Sequence, residues 1–214
     1  LSLHNKKATT QGFNEILNDW SNRLIKQLQA NVTINNPHNV TLKANTPYII
    51  MCNHSSFYDI PLSYLAFPQA SMRMLAKKEL LSIPIFGKSM QKASFPFVDR
   101  KNRRQAIKDL NYAKQLMRQG IVLWVAPEGT RSEDGKLTPF KKGAFIMAIQ
   151  AKATIIPLAI NGASNIWDNK SKKMSLKLPI TLTIGQPIDA NDYTLNEKDA
   201  LKDKAQSIMQ NLLN

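Results

Sequence analysis

The sequence predicts an α/β fold, with a central mixed, largely parallel sheet flanked by helices and an amphipathic helix ahead of it. Three observations lead there. Apolar runs of strand length, bounded by turn residues, occur at 48–51, 121–126 and 155–160. They alternate with segments whose apolar residues recur at three- and four-residue steps, the pattern of strands interleaved with helices. Finally, the run 121–126 ends in Pro127-Glu128-Gly129-Thr130-Arg131-Ser132, so charged residues stand just past a strand's carboxyl end, where open α/β sheets bind ligands.

Residues 1–12 are polar and expected to fray. From 13 to 30, Phe13, Ile16, Leu17, Trp20, Leu24, Ile25 and Leu28 mark one face of a helix. This segment, 1–30, is set apart from an α/β domain over 31–214; its helix is expected either to lie on an anionic bilayer or to pack on the core. Asn31-Val32-Thr33-Ile34 reads as a strand and Asn35-Asn36-Pro37 as a turn. After the strand at 48–51, a helix is expected over 57–66. A strand follows at 72–76, then short helical pieces at 77–81 and 86–92, and a strand at 95–98. Helix 103–118 turns Ile107, Leu110, Ala113, Leu116 and Met117 inward, and Gly120 ends it. Glu133-Asp134-Gly135-Lys136 is a turn and 142–151 an apolar helix. Strands at 155–160 and 178–184 precede a C-terminal helix opened by the capping box Thr194-Leu195-Asn196-Glu197.

At 214 residues the chain can enclose one sizeable core, and 43% hydrophobic with 21% charged residues is an ordinary globular composition. The charge is not ordinary: 29 Lys and Arg against 15 Asp and Glu leave +14, which calls for an anionic partner. No nucleic-acid motif accompanies it. A lone cysteine, Cys52, excludes a disulfide framework, and three histidines without ligand spacing make a metal site unexpected. No apolar stretch approaches the ~18 residues of a membrane span. The sequence begins at Leu1 rather than Met, which suggests that its native beginning is lacking and leaves a removed signal or anchor helix open. There is neither a phosphate-binding P-loop nor a Gly-x-Ser-x-Gly elbow, which disfavours nucleotide and serine-hydrolase chemistry.

The stretch Asn53-His54-Ser55-Ser56-Phe57-Tyr58-Asp59 carries the chemistry. Its imidazole lies where a strand hands the chain to a helix, and Ser56-x-x-Asp59 has the form of a capping box. With His54 before the helix and Asp59 in its first turn, the carboxylate can fix the imidazole tautomer and make it a general base. The alternative leaves Asp59 as a cap and His54 as a loop residue.

Four blocks stand in one order: 53–59; Phe97-Val98-Asp99-Arg100; 127–132; and Ile156-Pro157-Leu158-Ala159-Ile160. This order resembles the glycerolipid acyltransferases with a His-x4-Asp motif, most closely the 1-acyl-sn-glycerol-3-phosphate (lysophosphatidic acid) acyltransferases. The resemblance implies their α/β fold and acyl transfer from a thioester, acyl-CoA or acyl-carrier protein, to the free hydroxyl of lysophosphatidic acid. It implies His54 as base oriented by Asp59, and no cofactor beyond the thioester co-substrate. Arg100 and Arg131 are then expected on the acceptor's phosphate, since guanidinium forks match phosphate oxygens. Glu128 is expected either on the glycerol hydroxyl or on Arg131, with Gly129 and Thr130 shaping the turn. Lys141 and Lys142 are candidate contacts for phosphate or donor, or solvated charges. Pro157 is placed on the donor side or shapes a strand edge. The resemblance also implies an N-terminal anchor, while the basic surface and the helix 13–30 lead to an expected peripheral attachment to the cytoplasmic face of an anionic membrane. Ser94 stands where the second block often has glycine, and Ala126 where an aromatic is common. The alternatives kept are another lysophospholipid or amino-lipid acceptor, and a non-catalytic basic module binding anionic lipid.

Overall fold

A computed structural model describes residues 3–132, 134–167 and 173–214, with side chains described from Thr10 onward. Its organising strand is β2 (Tyr48–Cys52), buried at every position. A strand with no polar residue to show to water must be covered on both faces, and the sheet around it is. The strands β1 (Asn31–Asn35), β3 (Met72–Met74), β6 (Val122–Val125), β7 (Thr154–Asn161) and β8 (Pro179–Ile184) join β2 in the order β1-β8-β7-β2-β6-β3. Four of these neighbours pair in parallel; β7 with β8, and β9 (Ile188–Asp189) with β7, are antiparallel. The sheet is mixed and largely parallel, as the sequence predicts.

Alternation along β2 sends its side chains into two cores. Tyr48, Ile50 and Cys52 meet Ile25 and Leu28 of α1 (Leu3–Leu28) and Leu62 of α2 (Asp59–Ala66). Ile49 and Met51 face α4 (Arg103–Arg118), α5 (Gly143–Ala151) and α6 (Lys198–Leu213), through Leu116, Phe145 and Leu201 among others. Ile25 and Leu28 of the N-terminal helix therefore belong to the same core as the α/β domain. Its helix reaches back to Leu3 instead of starting near Phe13. Leu1, Ser2 and Glu133, the last in an expected turn, lie outside the described residues.

The strand expected at 72–76 divides. Leu75 N–H still donates to Trp124 O at 2.9 Å, but Ala76 N–H turns to Pro96 O at 2.9 Å. From there β4 (Ala76–Lys77) pairs with β5 (Phe97–Val98) in a separate two-stranded ribbon. A 3-10 turn (Lys78–Ser82) and α3 (Phe86–Lys92) fill the excursion between them. On α4, Ile107 is 55% exposed, because it lies roughly 120° round the helix from Ala113, at the margin of the inner stripe.

Both Gly120 and Ser94 close helices in the same way. Gly120 N–H donates to Met117 O and Ile121 N–H to Leu116 O; Ser94 N–H donates to Gln91 O and Phe95 N–H to Met90 O. These are Schellman pairs, which require a left-handed residue after the helix. Gly120 has φ +92° and Ser94 φ +64°. The position's demand is for left-handed backbone at a helix end, not for close approach to a ligand. Ser94→Gly is accordingly expected to raise stability by about 1 kcal/mol, read as a higher denaturation midpoint with unchanged m-value.

Pro157 occupies a break in the sheet. On its β8–β9 side, β7 pairs with β9 as far as Ile155 and with β8 from Leu158. Pro157 O accepts Gly185 N–H at 2.8 Å, and the missing proline N–H falls where the ladder is interrupted. The residue is buried and its ring lies against Gly185, in the α6 layer. No helix among the described residues is long and apolar enough to cross a membrane.

Candidate active site

Because β2 and β6 are adjacent and parallel, the loops leaving their carboxyl ends lie side by side. Ser132 N–H donates to His54 O at 2.7 Å across them. On the other flank, Asn53 is buried and clamps β7: its Nδ2 donates to Ile160 O at 3.0 Å and its Oδ1 accepts Ile160 N–H at 2.8 Å. The loop carrying His54 is thus tied to both neighbours of β2.

Within the loop, His54 Nδ1 lies 2.8 Å from Asp59 Oδ2. Asp59 is wholly buried, and the same oxygen accepts Ser55 N–H and Ser56 N–H, each at 2.7 Å. Half of the expected capping box is present, namely the carboxylate reaching back to Ser56. The other half is altered, since Ser56 Oγ accepts Tyr58 N–H at 3.2 Å and the helix begins at Asp59. A carboxylate only accepts, so the imidazole proton is assigned to Nδ1 and Nε2 keeps its lone pair. Behind the imidazole, Trp124 meets it edge to face at a centroid separation of 5.4 Å. Trp124 Nε1 donates to Ser63 Oγ at 2.9 Å, and Ser63 Oγ donates to Asp59 O at 2.7 Å, which locks the indole to α2. Beneath them, burial pushes the Cys52 thiol well up, with the Asp59 and Glu128 carboxylates adding to the rise. It is an inert core thiol.

Glu128 corrects the expectation placed on it. Its side chain is 2% exposed; Oε1 accepts His54 N–H at 3.0 Å, while Oε2 accepts Thr138 N–H and Oγ1–H, each at 2.8 Å. Neither Arg131 nor an open surface is its partner. The carboxylate ties the backbone of His54 to the strap at 138.

The two guanidiniums gather on the turn after β6. Arg100 Nη1 donates to Gly129 O, and Gly129 adopts φ +79°. Burial lowers the Arg100 pKa from its ordinary value, and Glu79 works the other way. Arg131 leaves the same turn and stacks on Phe57, 3.8 Å from the ring centroid. The Lys141 side chain overlies Gly129, near enough that an added Cβ would lie 2.9 Å from its Cδ. Lys142 parts from this group: its Nζ pairs with Asp199 of α6 at 3.0 Å. Pro157 is buried, with its ring against Gly185. A cleft of about 240 Å³ adjoins the His54 loop. It is lined by Ser55, Ser56, Thr130, Ser132 and Ser164, with Phe57, Arg131 and Trp167 at its walls. Trp167 and Ser164 come from the segment after β7, which carried no motif to single them out. Among the described residues, no group of three or more His, Cys, Asp or Glu side chains is arranged to hold a metal ion.

Residues 31–161 match the family model described as Acyltransferase. The chain belongs to that family. Its expected resemblance is carried by the relatives themselves. A 1-acyl-sn-glycerol-3-phosphate acyltransferase of Cocos nucifera is 34% identical over 151 residues, 70% of this chain and 48% of that one. The enzyme of the same name from Saccharomyces cerevisiae is 34% identical over 173 residues, 79% of this chain and 55% of that one. The crystal structure of the 1-acyl-sn-glycerophosphate acyltransferase PlsC from Thermotoga maritima superposes with TM-score 0.78 at 25% identity, covering 99% of this chain and 82% of that one. The chain spans about half the length of the curated relatives it matches. The matched segment 31–161 contains both halves of the site, so the acyltransferase family's shared region coincides with the His54 loop, the 127–132 turn and the strands that carry them.

Proposed function

We propose that this protein transfers an acyl chain from a thioester, acyl-CoA or acyl-carrier protein, to the free hydroxyl of lysophosphatidic acid, giving phosphatidic acid. The observation that carries the reading is the 2.8 Å contact between His54 Nδ1 and a buried carboxylate, beside a hydroxyl-lined cleft with a guanidinium at its wall. Nε2 takes the acceptor's hydroxyl proton as its oxygen attacks the thioester carbonyl. The tetrahedral adduct then expels the thiolate, which recovers that proton from the imidazolium. An ester C–O bond replaces the C–S bond and no covalent enzyme intermediate is formed. Asp59 stabilises the transient imidazolium and holds the ring's orientation.

Arg131 is assigned to the acceptor's phosphate, with Arg100 and Lys141 adding positive charge at Gly129. Phe57 pre-orders Arg131, which reduces the rotamer freedom lost on binding. Acyl transfer is tested by incubating the protein with lysophosphatidic acid and labelled acyl-CoA or acyl-carrier protein. Diacyl product is expected, and its absence with both donors would reject the proposal. Arg131→Ala is expected to raise the acceptor's KM roughly tenfold or more, with little change in the donor's KM. An unchanged acceptor KM removes Arg131 from the phosphate site.

A further inference from the structure

The chain crosses from the 3-10 turn to α3 through Ile83-Pro84-Ile85-Phe86, and this crossing has an unusual backbone. Ile85 has φ +64° and ψ −52°, and Phe86 N–H donates to Pro84 O at 2.6 Å. A three-residue turn with that sign of φ is the rare, strained form of γ-turn. It is especially unfavourable for a β-branched residue. The strain is not relieved by burying the side chain, because Ile85 is 81% exposed, and Ile83 and Phe86 beside it are exposed as well. Nor is the loop slack. Gly87 N–H donates to Ile83 O at 2.9 Å, and Gly87 packs so closely on Leu81 that an added Cβ would lie 2.4 Å from its carbonyl oxygen. The fold holds an apolar knuckle rigidly out into solvent. Nothing in the catalytic geometry uses it.

The charge around the knuckle indicates what it meets. Residues 75–98 carry four lysines, Lys77, Lys78, Lys88 and Lys92, and one acid, Glu79; Lys78 pairs with Asp99 at 3.2 Å, which leaves Lys77, Lys88 and Lys92 as the excess. Lys88 and Lys92 are exposed one turn apart on α3, directly after the knuckle. Exposed apolar side chains followed by exposed lysines are complementary to an anionic bilayer, whose headgroups take the ammonium groups while the acyl boundary takes the isoleucines and phenylalanine. On α1, Phe13 and Leu17 pack against the cluster beneath α3. One turn apart on the same helix, Ile16 and Trp20 stay exposed.

We infer that the γ-turn knuckle at Ile83–Phe86 is a membrane-docking element that seats the protein on an anionic bilayer. The inference rests on the acyl-transfer reading only for its purpose, which is to bring the site to the phase that holds a lysophospholipid.

The test uses Ile85→Gly, which suits the backbone while deleting the side chain, and Phe86→Ser as a second variant. Sedimentation with vesicles of mixed phosphatidylcholine and phosphatidylglycerol should show each variant binding about tenfold more weakly than the parent. Ile85→Gly should meanwhile be as stable as the parent or more so, which excludes unfolding as the cause. Turnover of a short-chain, monomeric lysophosphatidic acid should be unchanged. Parent-like vesicle binding by both variants overturns the inference. So does weaker binding of acyl-carrier protein, or a changed oligomeric state in gel filtration, with vesicle binding intact. If no protein turns over any acceptor while the variants still lose vesicle binding, the acyl-transfer reading fails and the docking element stands.

Discussion

His54→Ala is expected to lower kcat for acyl transfer by roughly 10²- to 10⁴-fold, while the thermal midpoint stays near that of the parent. The two outcomes separate because of what the imidazole does and does not hold. Its contribution to the loop is one hydrogen bond to Asp59, and Asp59 keeps two others, from Ser55 N–H and Ser56 N–H. The loop's own anchors, Asn53 on Ile160 and Ser132 N–H on His54 O, involve no imidazole atom. Single-turnover assays with both substrates saturating would read the chemical step directly. Turnover within a few-fold of the parent would mean that another group removes the acceptor's proton.

Glu128 is where the largest combined loss is expected. Its carboxylate receives two backbone N–H groups, of His54 and Thr138, and the Thr138 hydroxyl. Glu128→Ala leaves those two N–H groups unpaired, at about 1–3 kcal/mol each, so a loss of about 2–6 kcal/mol is expected in denaturant titration. Glu128→Gln is no remedy. A carboxamide has a single oxygen, so accepting from Thr138 points its NH2 group at the His54 N–H, and donor faces donor. For Glu128→Gln, kcat should fall by about 10²-fold, since displacing a reacting group by ~1 Å has that effect, while the acceptor's KM changes little. The opposite split, a raised KM at parental stability, would show that Glu128 touches the acceptor, as its motif position first implied.

The site was legible to the extent that chemistry is local in the chain. His54 and Asp59 are five residues apart, and a strand-to-helix junction is the one local geometry that lets them meet; the 2.8 Å contact is that geometry. For Glu128, Lys142 and Pro157 the sequence left alternatives open, for a common reason. A carboxylate, an ammonium or a proline ring states its chemistry in the sequence but not the direction in which it points. Burial of Glu128 under the 138 strap, the reach of Lys142 to Asp199, and the partner change beside Pro157 all depend on elements far away in the chain. The γ-turn at Ile85 was invisible for a related reason. Ile-Pro-Ile-Phe carries no glycine or asparagine to announce a positive φ, and the turn stands beside a close approach of Gly87 to Leu81 that only the folded chain makes.

What the amino-acid order determined alone was the alternation of strands and helices, the ends of α4, and the pairing of His54 with Asp59. Each rests on hydrophobic periodicity or on contacts within a few residues, where backbone geometry leaves little choice. Tertiary structure alone decided that the loops after β2 and β6 lie side by side, that Arg131 lies on Phe57 while Lys142 turns away, and that a buried glutamate braces the His54 loop. Those outcomes follow from strand order and from which polar groups burial leaves in need of partners, and neither can be known until the sheet is assembled.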